Sequence, residues 1–230
     1  MIKLYNEDNM GIEVNQPIDY LFADYVYENL NFSWVDKYWK LLTPNGVFSI
    51  MTDFHSLPQC WMKLLSMPNA NFVSHYVWKN EWGNYSKRYP HQCFDNILLF
   101  SNGKDYKYYP ERVQVPKATA NTKLNPSGRN TKPATAWIGD ICLTTTSKER
   151  IKKDDGRLIK WQKPLRLMQR IVEPYTDEGD LVVDPFMGVA TLGHWCLLNN
   201  REYVGIENNK QSFDLAEKRL KNLDKNEDVC

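Results

Sequence analysis

The chain lacks any apolar run near the roughly 18 residues that a membrane-crossing helix needs, so a helical membrane protein is excluded. Cysteine is sparse. Cys60, Cys93, Cys142, Cys196 and Cys230 form no Cys-x-x-Cys pair, and His55, His75, His91 and His194 lack metal-ligand spacing. A zinc site or disulfide framework is therefore not expected, and no metal is assigned. No leader is expected either, because Met1-Ile2-Lys3-Leu4-Tyr5 runs at once into Asn6-Glu7-Asp8. The chain reads as cytoplasmic. Two phosphate-binding signatures are also missing: the three-glycine nucleotide fingerprint and the loop ending in Lys-Ser/Thr. A pyrophosphate cofactor is thereby disfavoured.

Net charge is almost absent, at +1 over 230 residues. Its distribution is more informative than its sum. Residues 101–170 carry sixteen Lys and Arg against six Asp and Glu, which is +10 and leaves −9 for the rest. A basic middle between acidic flanks suits a groove for a polyanion. The length fits one domain with a full core, spanning 1–230. Aromatics make up 13%, with eight Trp and thirteen Tyr.

The stretch from Leu181 to Glu207 organises the chain. Leu181-Val182-Val183-Asp184 is a short apolar run ending in an acid. Pro185-Phe186-Met187-Gly188 turns, Ala190 to Asn200 reads as a helix, and Tyr203-Val204-Gly205-Ile206-Glu207 is a second strand with a terminal carboxylate. This unit suits an adenosine-type cofactor at the carboxyl ends of parallel strands. Gly188 lets backbone approach a ligand, and Glu207 can accept both ribose hydroxyls.

Asp184-Pro185-Phe186-Met187-Gly188 followed by Thr191 resembles the Asp-Pro-Phe-x-Gly-x-Gly-Thr cofactor loop of S-adenosylmethionine-dependent DNA amino-methyltransferases, in the order that puts this loop near the C-terminus. Val189-Ala190 stands where that family has a small residue and Gly. The resemblance extends along the chain. Ile18 to Asp24 reads as a buried strand, and Asp24-Tyr25-Val26-Tyr27 stands where the family has Asp-Pro-Pro-Tyr. Both prolines are replaced, so the loop needs other packing or must be ordered on binding. Gln162-Lys163-Pro164 matches the end of the family's His-Pro-Thr-Gln-Lys-Pro, with Trp161 at the Thr position.

The resemblance implies a Rossmann-like α/β fold: a seven-stranded-type, mostly parallel sheet with helices on both faces. It implies S-adenosyl-L-methionine as cofactor, held by Asp8, Asp24, Gln162, Lys163, Asp184, Pro185, Phe186, Gly188, Thr191 and Glu207. It also implies a catalytic role for Asp24, for the Tyr25 carbonyl and for Tyr27, which would stack on the target base. An exocyclic amine is a poor nucleophile because its lone pair is delocalised into the ring. A carboxylate and a carbonyl that accept its N–H groups favour the pyramidal form. Methylation at a cytosine ring carbon would need a Cys nucleophile, typically in Pro-Cys, and none occurs. Adenine N6 is the first target, because Asp resembles the acid of adenine enzymes. Cytosine N4, or a nucleic-acid-binding homologue without catalysis, remains open.

The partner implied is DNA, with single-stranded DNA, RNA and a homodimer left open. From about 102 to 160 periodicity fails, where the family keeps its target-recognition insertion. Lys123, Arg129, Lys132, Lys148, Arg150, Lys152 and Lys153 would contact phosphates. Trp78 and Lys79 would line the pocket of the extruded base. Further elements are an edge strand at Ile2–Tyr5, a helix from Phe32 to Leu42, strands at Val47–Met51, Phe72–Trp78 and Asn96–Phe100, and helices at Leu57–Met67, Leu165–Val172 and Phe213–Leu220. Lys221 to Cys230 reads as a frayed end.

Overall fold

The structure is a computed structural model that describes residues 1–25, 31–80, 86–125 and 127–227, with side chains through 223. Among these residues an eight-stranded sheet runs in the order β1 (Ile2–Tyr5), β10 (Glu202–Ile206), β9 (Leu181–Asp184), β2 (Ile18–Asp24), β3 (Leu42–Thr52), β5 (Phe94–Asn102), β4 (Ala70–Lys79) and β8 (Trp137–Ile138). From β1 to β3 every pairing is parallel, while β5 lies antiparallel to both neighbours. The expected seven-stranded sheet thus gains β8, two residues of the basic middle that pair parallel to β4.

Strand β2 explains the layering. Tyr20 and Phe22 point into one apolar cluster, and Leu21 and Ala23 into another, as the two-residue period of a strand demands. Helices α1 (Ser33–Trp39) and α2 (Leu57–Leu65) supply Trp34, Val35, Tyr38, Trp39, Cys60 and Leu64 to the second cluster. Helices α3 (Leu165–Val172), α4 (Thr191–Leu198) and α5 (Lys210–Glu227) supply Leu167, Met168, Leu192, Trp195, Ala216 and Leu220 to the first. Helices therefore cover both faces. Each fully buried large apolar side chain contributes about 1.5–3 kcal/mol.

Three local readings shift. Thr43-Pro44-Asn45-Gly46, expected to break the chain before a strand, is absorbed into β3; the register slips between Ile18 and Tyr20 on β2 to accommodate it. The aperiodic middle contains a small ribbon, β6 (Gln114–Pro116) antiparallel to β7 (Thr131–Pro133). The closing helix, expected over 213–220, extends to Glu227 instead of ending at the polar tail.

Candidate active site

Four neighbouring strands deliver acids to one end of the sheet. Asp24 ends β2, Asp184 ends β9, Glu207 follows β10 and Asp8 lies beyond β1. In the order of the sheet this row reads Asp8, Glu207, Asp184, Asp24. All four line one cavity of about 640 Å³, together with Pro185, Phe186, Met187, Gly188, Thr191, Gln162 and Lys163. Parallel strands in register bring residues that are distant in sequence to one rim, as expected for a ligand site at carboxyl strand ends.

The turn after β9 is built from its own residues. Asp184 is buried, and its Oδ1 accepts the Phe186 N–H at 3.1 Å. Tyr203 Oη also reaches Asp184 Oδ2, at 3.5 Å. Burial pushes the Asp184 carboxyl well above the usual range; the Phe186 N–H pulls it down, and the charges of Asp24 and Glu207 push it up again. Gly188 has φ +53, and a Cβ there would project into open space, the side from which a ligand can reach the backbone. Ala190, where the family has Gly, keeps the left-handed path at φ 52 and ψ 48. The Met187 N–H donates to the Ile206 carbonyl, stitching the turn to β10.

Glu207 braces this turn. Its Oε2 accepts the Gly188 N–H at 2.9 Å and its Oε1 accepts the Asn209 N–H at 2.8 Å. Each oxygen retains a lone pair for a further donor such as a ribose hydroxyl. Burial raises the Glu207 pKa and these two N–H groups partly offset it.

At the other end of the row, Lys163 Nζ pairs with Asp24 Oδ2 at 2.9 Å. The ammonium lies 5.9 Å from the Trp78 ring centroid. Burial alone would depress the Lys163 pKa, but Asp24 and the nearby Asp95 outweigh it and hold the group above the ordinary lysine value. Asp95 escaped the sequence reading. It is the one acid of β5, its Oδ2 accepts from Asn80 Nδ2 at 2.9 Å, and burial raises its pKa.

Tyr25 replaces the first expected proline and is itself buried. Its ring packs against Phe186 at 5.1 Å, Trp34 at 5.3 Å and Phe32 at 6.2 Å between centroids. Its hydroxyl donates to the Asn31 carbonyl at 2.9 Å and accepts the Asn31 N–H at 3.0 Å. Tyr25, at the first proline position, is thus held by other packing, with each aromatic pair worth about 0.5–1.5 kcal/mol beyond area. Tyr27 lies outside the described residues.

Several expected contacts have other partners. Gln162 is buried; its Oε1 accepts the Ile151 N–H at 2.8 Å and its Nε2 donates to the Glu149 carbonyl at 2.7 Å. It faces the cavity while latching the basic insertion to α3, whose Leu165 N–H is capped by Glu149 Oε2 at 2.9 Å. Trp78 is buried, and its Nε1 donates to the Ile141 carbonyl at 2.9 Å. Lys79 is exposed at the end of β4. Arg150 donates to the carbonyls of Thr144, Ile159 and Leu143, so it braces the insertion. Lys123, Arg129, Lys132, Lys148 and Lys152 are exposed, and Lys153 sits on the cavity wall.

Arg219 was also missed. From α5 its Nη1 reaches the Val189 carbonyl at 3.1 Å and Thr191 Oγ1 at 3.0 Å, while its Nε donates to His194 Nδ1 at 3.0 Å. An arginine interrupting the apolar face of a helix is the signal that could have flagged it. Burial, then the Arg219 charge, pushes the His194 pKa down to about 4.

The cavity fits S-adenosyl-L-methionine on three counts. Its volume lies within the range of about 300–1,000 Å³ for small-molecule sites. Its acids suit a ligand carrying a sulfonium and an ammonium. The space beside Gly188 admits close backbone approach.

The chain is similar to known DNA methyltransferases. Type II methyltransferase M.HpaI of Haemophilus parainfluenzae is 26% identical over 230 residues, an alignment covering 95% of this chain and 70% of that protein. The chain spans about two thirds of the length of the curated relatives it matches. The M1.HpyAVI–SAM complex superposes with a TM-score of 0.71 at 24% identity, over 96% of this chain and 99% of that one. PvuII DNA methyltransferase, cytosine-N4-specific, superposes with a TM-score of 0.68 at 14% identity, over 95% and 86%. The structural likenesses establish the fold. A family model described as DNA methylase, N6_N4_Mtase, matches residues 8–218. Because that match runs from the first acid of the row, through the cofactor turn, into the closing helix, the chain belongs to the N6_N4_Mtase family of DNA methylases.

Proposed function

We propose that this chain transfers a methyl group from S-adenosyl-L-methionine to the exocyclic amine of a base in DNA, with adenine N6 as the target. One observation carries the reading. Asp24, the acid that would receive the amine, shares a cavity with the Asp184–Gly188 turn. When bound there, the cofactor supplies an electrophilic methyl on a sulfonium.

The remaining work belongs to the chain. Asp24 Oδ2 is engaged by Lys163, which leaves Oδ1 to accept one amine N–H while the Tyr25 carbonyl accepts the other. The lone pair then localises on nitrogen and faces the methyl carbon. As the new N–C bond forms and the donor's S–C bond breaks, leaving a neutral thioether, positive charge grows on nitrogen beside the Asp24 carboxylate, which stabilises it; the surplus N–H proton then departs to that carboxylate or to water. Alignment of the two reactants supplies much of the rate. Glu207 and Asp8 hold the adenosine part, Thr191 and the 184–188 turn hold the donor, and Lys163 orients Asp24.

A base inside a duplex cannot reach Asp24, so it is extruded or presented on a single strand of DNA or RNA. The exposed lysines and Arg129 of the insertion would hold the phosphates. Cytosine N4 is the second reading, favoured by the shared fold of the cytosine-N4-specific PvuII enzyme; the acid at Asp24 favours adenine.

The test is nucleoside mass spectrometry on DNA and RNA incubated with the protein and S-adenosyl-L-methionine. N6-methyladenosine species in DNA support the proposal. N4-methylcytosine selects the second reading. A product methylated at a ring carbon, or no product from either nucleic acid, overturns both.

A further inference from the structure

We infer that the Tyr25 side chain is a positioning residue, replacing the two missing prolines and fixing Asp24 against the cofactor turn. The inference rests on the role proposed for Asp24 and names what keeps that acid in place.

Tyr25 directly follows Asp24, so wherever its ring is fixed the tip of β2 is fixed with it. The ring meets Phe186 of the cofactor turn and Trp34 of α1, and those two pack edge to face at 4.9 Å and 81°. Catalytic strand, cofactor turn and first helix therefore meet on one aromatic side chain. Packing alone would be served equally well by Phe. The hydroxyl does something further: it accepts from the N–H and donates to the C=O of Asn31, satisfying both backbone groups of one residue. This pins the chain six positions beyond Tyr25 back to the strand tip.

Prolines restrict a loop by removing alternatives in φ. A phenol clasp reaches a similar end by tying the chain from outside. It differs in one consequence. Because Phe186 lines the cofactor cavity, cofactor binding and the setting of Asp24 are coupled through the Tyr25 ring.

Two variants test this. Tyr25→Phe keeps the ring and removes the tie. Tyr25→Pro combined with Val26→Pro restores the family's loop without any tie. Three quantities are measured: the single-turnover methyl-transfer rate at saturating S-adenosyl-L-methionine, cofactor affinity by calorimetry, and hydrogen exchange at the Asn31 amide. In Tyr25→Phe, Asn31 exchange rises and the transfer rate falls about 10-fold or more, as a small misplacement of a reacting group predicts. Cofactor affinity stays within about 2-fold because Phe186 keeps its ring partner. The proline pair recovers the rate while Asn31 still exchanges fast. A merely structural tyrosine would show no such rescue.

Tyr25→Phe turning over at the parent rate, or leaving Asn31 exchange unchanged, overturns the inference. If the parent transfers no methyl group, it is the proposed function that fails. The coupling is then read directly: S-adenosyl-L-methionine slows Asn31 exchange in the parent but not in Tyr25→Phe, and absence of that difference overturns the clasp.

Discussion

Asp24 and Ala190 show how differently single residues speak in this sequence. Asp24 was legible as the acid that ends a buried apolar run, and the role proposed for it came from its resemblance to the family's Asp-Pro-Pro-Tyr segment. Its partner was legible only as a motif: the 2.9 Å pair with Lys163 joins residues 139 positions apart. Asp24→Asn keeps an oxygen for Lys163 but loses the charge opposite the developing cation. Its transfer rate should fall about 10²–10³-fold, with cofactor affinity by calorimetry nearly unchanged. Ala190 carries a left-handed backbone, which costs an L-residue about 1–2 kcal/mol. Glycine would relieve that, but it loses a buried methyl worth about 0.8 kcal/mol and frees the unfolded chain by about 0.4–1 kcal/mol. The terms nearly cancel, so Ala190→Gly should change urea stability by less than about 1 kcal/mol.

At the scale of elements, strands and helices were largely legible because their periods of two and 3.6 residues follow from which face is buried. The limits of β2 and α3 match the reading of the residues. What stayed hidden was irregular structure held by tertiary contacts: the bulge that absorbs Pro44–Gly46, the ribbon β6–β7, and β8, whose two residues have no period to read. The latch of Gln162 belongs here. Gln162→Ala leaves the Ile151 N–H and the Glu149 carbonyl without that partner, so about 2 kcal/mol of stability should be lost, measured by denaturant unfolding. The clamp of α4 and α5 behind the cofactor turn should respond to pH. His194 accepts from Arg219 and stays neutral in the fold, its pKa depressed to about 4. Its stabilising effect is complete above its unfolded value near 6.5 and is lost as pH falls toward 4. The loss reaches at most about 3 kcal/mol. Thermal unfolding between pH 7 and pH 4 should show this fall, and His194→Gln should flatten it.

Across the whole molecule, composition hides a division of labour. A net charge of +1 conceals a middle of +10, and the acids left over include Glu7, Asp8, Asp24, Asp184 and Glu207, which line the cofactor cavity. The same chain thus presents an acidic pocket to a cationic cofactor and basic side chains to a polyanion. DNA affinity should fall steeply with salt, because released counterions drive that binding. Cofactor affinity should instead weaken as pH is lowered, because Asp184 and Glu207 hold protons more readily than ordinary carboxylates. Binding isotherms across salt and pH separate the two.

The central claim is that one cavity brings a strand-tip acid to a methyl donor. The most direct measurement is single-turnover transfer of a labelled methyl group from S-adenosyl-L-methionine to DNA, comparing the parent chain with Asp24→Asn at equal cofactor occupancy. The account predicts label on the exocyclic amine of adenine with the parent and almost none with the variant. Equal labelling by the two proteins would contradict it.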